Sequence, residues 1–235
     1  MDHARTGPRP LVPAAMRPLA AAVLAVCVAA TVLLGAFVAR QTRAEPLDAW
    51  FDTRIQAGLG GQRRVLNDLS GLGDLIPVAV LTAVLVLACL VTRRWRGAVL
   101  VAVAVPAAAS ITEFVLKPLI GRTLMGDLSF PSGNETRVFA LAAALAVLLA
   151  DPPRARIPAA VRVLLALAAL LVAGAAGVAL VGLGHHYFTD TVGGAAVGVA
   201  VVLATAFILD RPWPSAQSIR NDEPPAMAGG SSTPG

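Results

Sequence analysis

Six apolar stretches alternate with polar connections along the chain, over residues 18–38, 72–91, 97–116, 136–150, 161–183 and 191–209. A helix crossing a bilayer needs about 20 such residues, because each adds about 1.5 Å against a hydrocarbon core about 30 Å thick. The fourth stretch is short by this measure unless its helix starts earlier, inside the polar turn before it. Pro106 predicts a kink in the third. The pattern predicts an all-α integral membrane protein with six transmembrane helices in a bundle.

Residues 45–71 follow another pattern. Leu47, Trp50, Phe51, Ile55 and Leu59 form a broken apolar stripe with Asp and Arg between them. This predicts an interfacial helix between the first and second spans. Residues 1–17 and 210–235 are rich in turn-forming or polar residues and predict disordered ends, leaving 18–209 as the membrane domain. The first stretch also has the outline of a secretory signal. Its length and the poor cleavage site in "TRAEP" favour an uncleaved anchor.

Composition agrees with the pattern: 57% of the 235 residues are hydrophobic and 14% charged, with mean hydropathy +0.73. The formal charge of +5 rests on 19 basic residues, all arginine except Lys117. Strong basicity often marks a nucleic-acid binder. Here the arginines lie between apolar stretches, where they act as topology signals, so no nucleic-acid partner is expected. With the N-terminus inside, eleven basic residues fall on the inner side and eight on the outer. Loops 92–96 and 151–162, with Arg93, Arg94, Arg96, Arg154, Arg156 and Arg162, count most because they are short. Both chain ends are then cytoplasmic. Cys27 and Cys89 lie within apolar stretches and have neither metal-ligand nor disulfide spacing.

Polar groups beside spans are costly and call for a reason. Three clusters stand out: "TEFVLKPLIGRT" with Glu113, Lys117 and Arg122; "SFPSGNETR"; and "GLGHHYFTDTVGG" with His185, His186 and Asp190. Six spans bring all three to the outer face. Lys117 and Arg122 offer positive charge to a phosphate-like group. Glu113 lies four residues before Lys117 and can pair with it. The Pro-Ser-Gly turn opens a helix whose first N–H groups, with the Ser132 hydroxyl, can receive anionic oxygens, and Gly133 permits close approach. His186 and Asp190 are four apart and meet on one helical turn, where the carboxylate sets the tautomer of the imidazole.

In order, spacing and membrane side, "LKPLIGRT…LSFPSGN" and "GHHYFTDTVGG" resemble the signatures of the type 2 phosphatidic acid phosphatase superfamily over about residues 45–209. That family's motifs are a Lys with a downstream Arg-Pro, then Pro-Ser-Gly-His, then Ser-Arg followed by His-x-x-x-Asp. The resemblance implies a lipid phosphatase working without metal or cofactor at the outer membrane face. His186 would be the nucleophile, forming a phosphohistidine, and Asp190 would orient it. Lys117, Arg122, Ser132, Gly133 and Asn134 would hold the phosphate. The substrate would be a lipid phosphate or diphosphate in the bilayer.

Three positions depart from the family pattern. Leu124 and Met125 stand where the Arg-Pro falls, so Arg122 is the substitute. Asn134 replaces the histidine that protonates the leaving group. Ala179-Leu180 replaces the Ser-Arg pair. Arg137 is the nearest substitute arginine, and His185 and Glu135 are the surrogate acids. A lipid alkoxide leaves poorly without a proton, whereas a phosphate leaving from a diphosphate nearly does not need one. General acid catalysis contributes about 10²–10⁴-fold. Activity is therefore expected on diphosphate lipids such as polyprenyl diphosphate. The alternative is a catalytically impaired relative that binds anionic lipid headgroups. Nothing in the sequence specifies an oligomeric state.

Overall fold

The computed structural model describes residues 10–150 and 157–211. Helix α1 spans Arg17–Val38, α2 Pro46–Leu59, α3 Arg63–Ser70, α4 Leu75–Val91 and α5 Trp95–Ile111. A π-helical turn over Thr112–Leu116 carries α5 into the short α6, Lys117–Ile120. A two-residue-per-strand hairpin follows, β1 Thr123–Leu124 with β2 Asp127–Leu128. Met125 and Gly126 turn it with φ of 53° and 98°. The bundle is completed by α7 Gly133–Ala150, α8 Ala159–Gly182 and α9 Phe188–Leu209.

These bounds reproduce the six apolar stretches to within a few residues. The fourth span starts inside the Pro-Ser-Gly turn, which supplies the length its apolar run lacks. The third is longer than its apolar run, because α6 carries it on to Ile120. Among the described residues, five helices are long and apolar enough to cross a bilayer, and α4, with 17 residues, makes a sixth when it is counted with the segment before it, from which it is bent by 53°. The chain is thus an all-α, multi-pass membrane protein.

Helix α9 is the hub, packing on α1, α5, α7 and α8. Its small residues make this possible. A Cβ at Gly194 would stand 2.5 Å from the Ser132 carbonyl oxygen, and one at Gly198 2.5 Å from that of Thr136. Backbone thus lies almost on backbone, the arrangement by which membrane helices associate without a hydrophobic drive of their own. Leu100, Val101 and Ala104 of α5, Ala140 and Ala144 of α7, and Val202 and Ala206 of α9 fill the centre. The outward faces carry Leu19, Val26, Leu33, Leu87, Leu164 and Leu171, all more than half exposed. Such a surface belongs against lipid.

Two expectations change. Residues 45–71 form two helices rather than one: α2 packs on α8 and α9, and α3 on α8. Residues 10–17, expected to be loose, are anchored. Leu11 and Val12 are buried, and their N–H groups donate to the Asp210 carboxylate at 2.8 and 2.9 Å. Arg96 and Arg17 approach the same carboxylate at 3.3 and 3.9 Å, and Arg96 also donates to the Leu209 carbonyl. Asp210 thus closes the C-terminal end of α9 rather than opening a tail. The remaining parts of the ends expected to be disordered, 1–9 and 212–235, and the loop arginines Arg154 and Arg156 lie outside the described residues.

Candidate functional site

At the other end of α9, Asp190 occupies its third helical position. Its carboxylate accepts the Tyr187 N–H at 3.1 Å, the reciprocal half of an N-terminal capping box. The same Oδ2 lies 3.5 Å from His186 Nδ1, and Oδ1 accepts from Arg122 at 2.7 Å. Asp190 is fully buried while His186 is partly exposed. A carboxylate held by the Tyr187 N–H and by Arg122 thus backs one ring nitrogen of His186.

Arg122 is the best-buried large side chain of this region. Its guanidinium pairs with Asp190 and with Asp48 of α2, donates to the Thr189 hydroxyl at 2.7 Å, and lies 4.1 Å over the Tyr187 ring. Asp48 in turn accepts the Thr189 N–H at 2.8 Å, and Asp52, one turn further along α2, accepts the Phe188 N–H at 3.1 Å. Two carboxylates four residues apart therefore cap the first turn of α9, where free N–H groups and the helix dipole favour negative charge. Phe51 stacks on Phe188 with ring centres 4.0 Å apart and seals the contact. Burial pushes the Asp52 carboxyl up to about 6, against the lowering effect of the Phe188 N–H. The charges of Asp48 and Asp190 raise it further and that of Arg122 lowers it.

The second half of the site is the N-terminus of α7. Ser132 is fully buried. Its N–H donates to the Asp190 carbonyl at 2.9 Å, and its hydroxyl accepts the Glu135 N–H at 3.4 Å as the helix cap. Glu113 lies directly against Gly133, where a Cβ would stand 2.0 Å from its Oε1. Lys117 donates to both oxygens of Glu113, at 2.9 and 3.1 Å. The π turn underlies this arrangement, since Glu113 falls inside it and Lys117 directly follows it. Such turns recur at functional sites because they rephase a helix locally. Thr112, buried in the same turn, donates to Thr136 of α7 at 3.1 Å and ties the two helices together.

The structure brings His186, Asp190, Arg122, Ser132, Gly133 and Lys117 to one end of the bundle. Several of them have partners that the sequence does not announce. Arg122, expected beside a phosphate, is wholly buried and gives its charge to Asp48 and Asp190. Asn134 donates to Asp74 at 3.0 Å and accepts from Arg137 at 2.5 Å, while Arg137 also donates to the Gly73 carbonyl at 2.8 Å. His185 is exposed, and its N–H donates to the Leu180 carbonyl at 2.9 Å. Glu135 points instead toward Gly177 of α8. Asp48, Asp52 and Asp74 were missed. For the first two, a signal was available: two aspartates at i and i+4 amid an apolar stripe.

The model of the PAP2 superfamily matches residues 20–213, and the chain belongs to that superfamily. Among solved structures it is similar to a transmembrane PAP2-type phosphatidylglycerolphosphate phosphatase from Bacillus subtilis, with a TM-score of 0.64 and 17% identity. The match covers 79% of this chain and 94% of that one. No curated protein sequence matches the chain.

Proposed function

We propose that residues 18–209 form a phosphatase domain that hydrolyses a lipid diphosphate through a phosphohistidine at the outer membrane face. The reading is carried by Asp190, held by Arg122 and the Tyr187 N–H, with His186 Nδ1 3.5 Å away. In this reading Nε2 of His186 attacks the terminal phosphorus. The P–O bond to the lipid monophosphate breaks, and the leaving phosphate takes the electron pair. Water then attacks the phosphohistidine, releasing inorganic phosphate and restoring the imidazole. Lys117, Ser132 and the N–H groups of Gly133 and Asn134 hold the transferring oxygens as charge spreads over them. Arg122 acts at one remove, through Asp190. The arginine distribution supports placing the site outside and the chain ends inside.

Asn134 carries no transferable proton, which favours a phosphate leaving group over an alkoxide. The test is release of inorganic phosphate in detergent from a polyprenyl diphosphate and from phosphatidic acid, with His186→Ala as control. Faster cleavage of the diphosphate, lost in the variant, is the expected result. Preference for phosphatidic acid sinks the substrate assignment, and equal rates in the variant sink the nucleophile.

A second reading has its own observation. Each cation that the sequence singles out is already engaged within the chain: Lys117 by Glu113, Arg122 by Asp48 and Asp190, Arg137 by Asn134 and Gly73. A protein that binds anionic headgroups without hydrolysing them fits that fact. It predicts anionic lipid binding that survives His186→Ala, with no phosphoryl group trapped on the protein.

A further inference from the structure

Glu135 is 2% exposed, and its Oε2 has no hydrogen-bond partner. It borders a cavity of about 170 Å³ between α7, α8 and α9, with Ile55 of α2 at its edge. Phe139, Phe188, Gly174, Gly177 and Ala195 are among the lining residues. Thr191 is the other polar side chain there, and its hydroxyl is spent on the Phe188 carbonyl at 2.7 Å. The two glycines make the room. A Cβ at Gly177 would stand 2.5 Å from Glu135 Oε1, and one at Gly174 would project into open space. No basic side chain lines the cavity.

A carboxyl in such a place either keeps its proton or waits for a cation brought from outside. The cavity slightly exceeds the ~150 Å³ that holds a benzene molecule, so it admits a group of about six to eight heavy atoms. Two phenyl rings beside a carboxylate suit an organic cation, whose charge is attracted to the ring faces. The location fits as well. Glu135 lies in the first turn of α7 and Phe188 begins α9, so the carboxyl sits at the end of the bundle rather than its middle. Val178, Leu171 and Val172 of α8, all exposed, continue from it along the lipid-facing surface.

We propose that this cavity binds the ammonium group of an amine-bearing amphiphile, with Glu135 as its counter-ion and the hydrocarbon lying along α8. The amine arrives protonated, and the carboxyl gives up its own proton to water on binding. Glu135, a surrogate acid by the sequence, is turned toward Gly177 and takes no part in the hydrolysis proposed above, so the site stands or falls separately from that reading.

The probe is n-hexylammonium chloride at neutral pH, with hexan-1-ol as its uncharged match, added to the full chain in detergent while thermal unfolding is followed. Hexylammonium at ten times its dissociation constant should raise Tm by about 3–5 °C. Hexanol should raise it less. The rise should vanish in Glu135→Gln and in Gly174→Leu, which fills the cavity without touching the carboxyl. No rise in the wild type, equal rises with and without the carboxylate, or a larger rise with hexanol would each overturn the proposal. If Glu135→Gln does not fold, hexylammonium against hexanol in the wild type tests the charge and Gly174→Leu tests the cavity, and failure of either overturns the proposal.

Discussion

Asp48 and Arg122, 74 residues apart in sequence, form an ion pair from which solvent is wholly excluded. One partner comes from α2, ahead of the bend into α4, and the other from the turn after α6. The pair therefore fastens α2 onto the bundle beside the residues proposed for catalysis. Removing one member of a buried pair leaves the other charge uncompensated and costs about 3–5 kcal/mol. Asp48→Ala should lower Tm sharply in detergent. Asp48→Asn, which still accepts the Thr189 N–H, should lower it less. If both variants melt with the wild type, the pair does not hold α2 in place.

Glu113 presents its carboxylate to Gly133 and both its oxygens to Lys117, so the anion nearest the α7 N-terminus is the protein's own. Glu113→Gln should free Lys117 for substrate. Because the carboxylate is partly exposed, the gain is modest: KM for polyprenyl diphosphate should fall about two- to fivefold with little change in kcat. An increase in KM would show instead that Glu113 positions Lys117 productively.

Asn134→His restores a group able to donate a proton. It should raise the rate on phosphatidic acid by about tenfold or more, within the range of general acid catalysis, and change the diphosphate rate far less. The imidazole keeps a donor for Asp74, so the link between α7 and the turn before α4 is preserved. No gain on the monoester would place the shortfall in the missing arginine side chains at Leu124 and Leu180.

Stability should depend on pH through Asp52. The folded chain keeps this proton up to about pH 6, while the ordinary value is 3.8. Between those limits the folded state binds more protons than the unfolded state, so stability falls as pH rises from about 4 to about 6 and then levels. Asp52→Asn should flatten that part of the profile, measured as Tm against pH. An unchanged slope would assign it to other groups.

Much of this molecule could be read from its sequence, for a physical reason. A span must be apolar over its whole length, so α1, α5, α8 and α9 are visible as runs, and an even number of runs puts the three polar clusters at one end. The buried aspartates of α2 were not visible, because an aspartate in an amphipathic segment looks the same whether it faces water or a guanidinium 74 residues away. The fate of Arg122 was hidden for the same cause. Its charge type suggested phosphate, and only the fold shows that two carboxylates reach it first. The π turn inside the third span was hidden too, since a single extra residue in a helical turn leaves no mark in an apolar pattern.

The knot at Asp210 fixes a parity. The backbone at Leu11 and Val12, just before the first span, meets the residue just after the last. A chain that returns to the side it started from has crossed an even number of times. The 17 residues of α4 therefore count as a full crossing, although the helix is short for one. A reporter fused at either end of the chain should label the same compartment, opposite to His186.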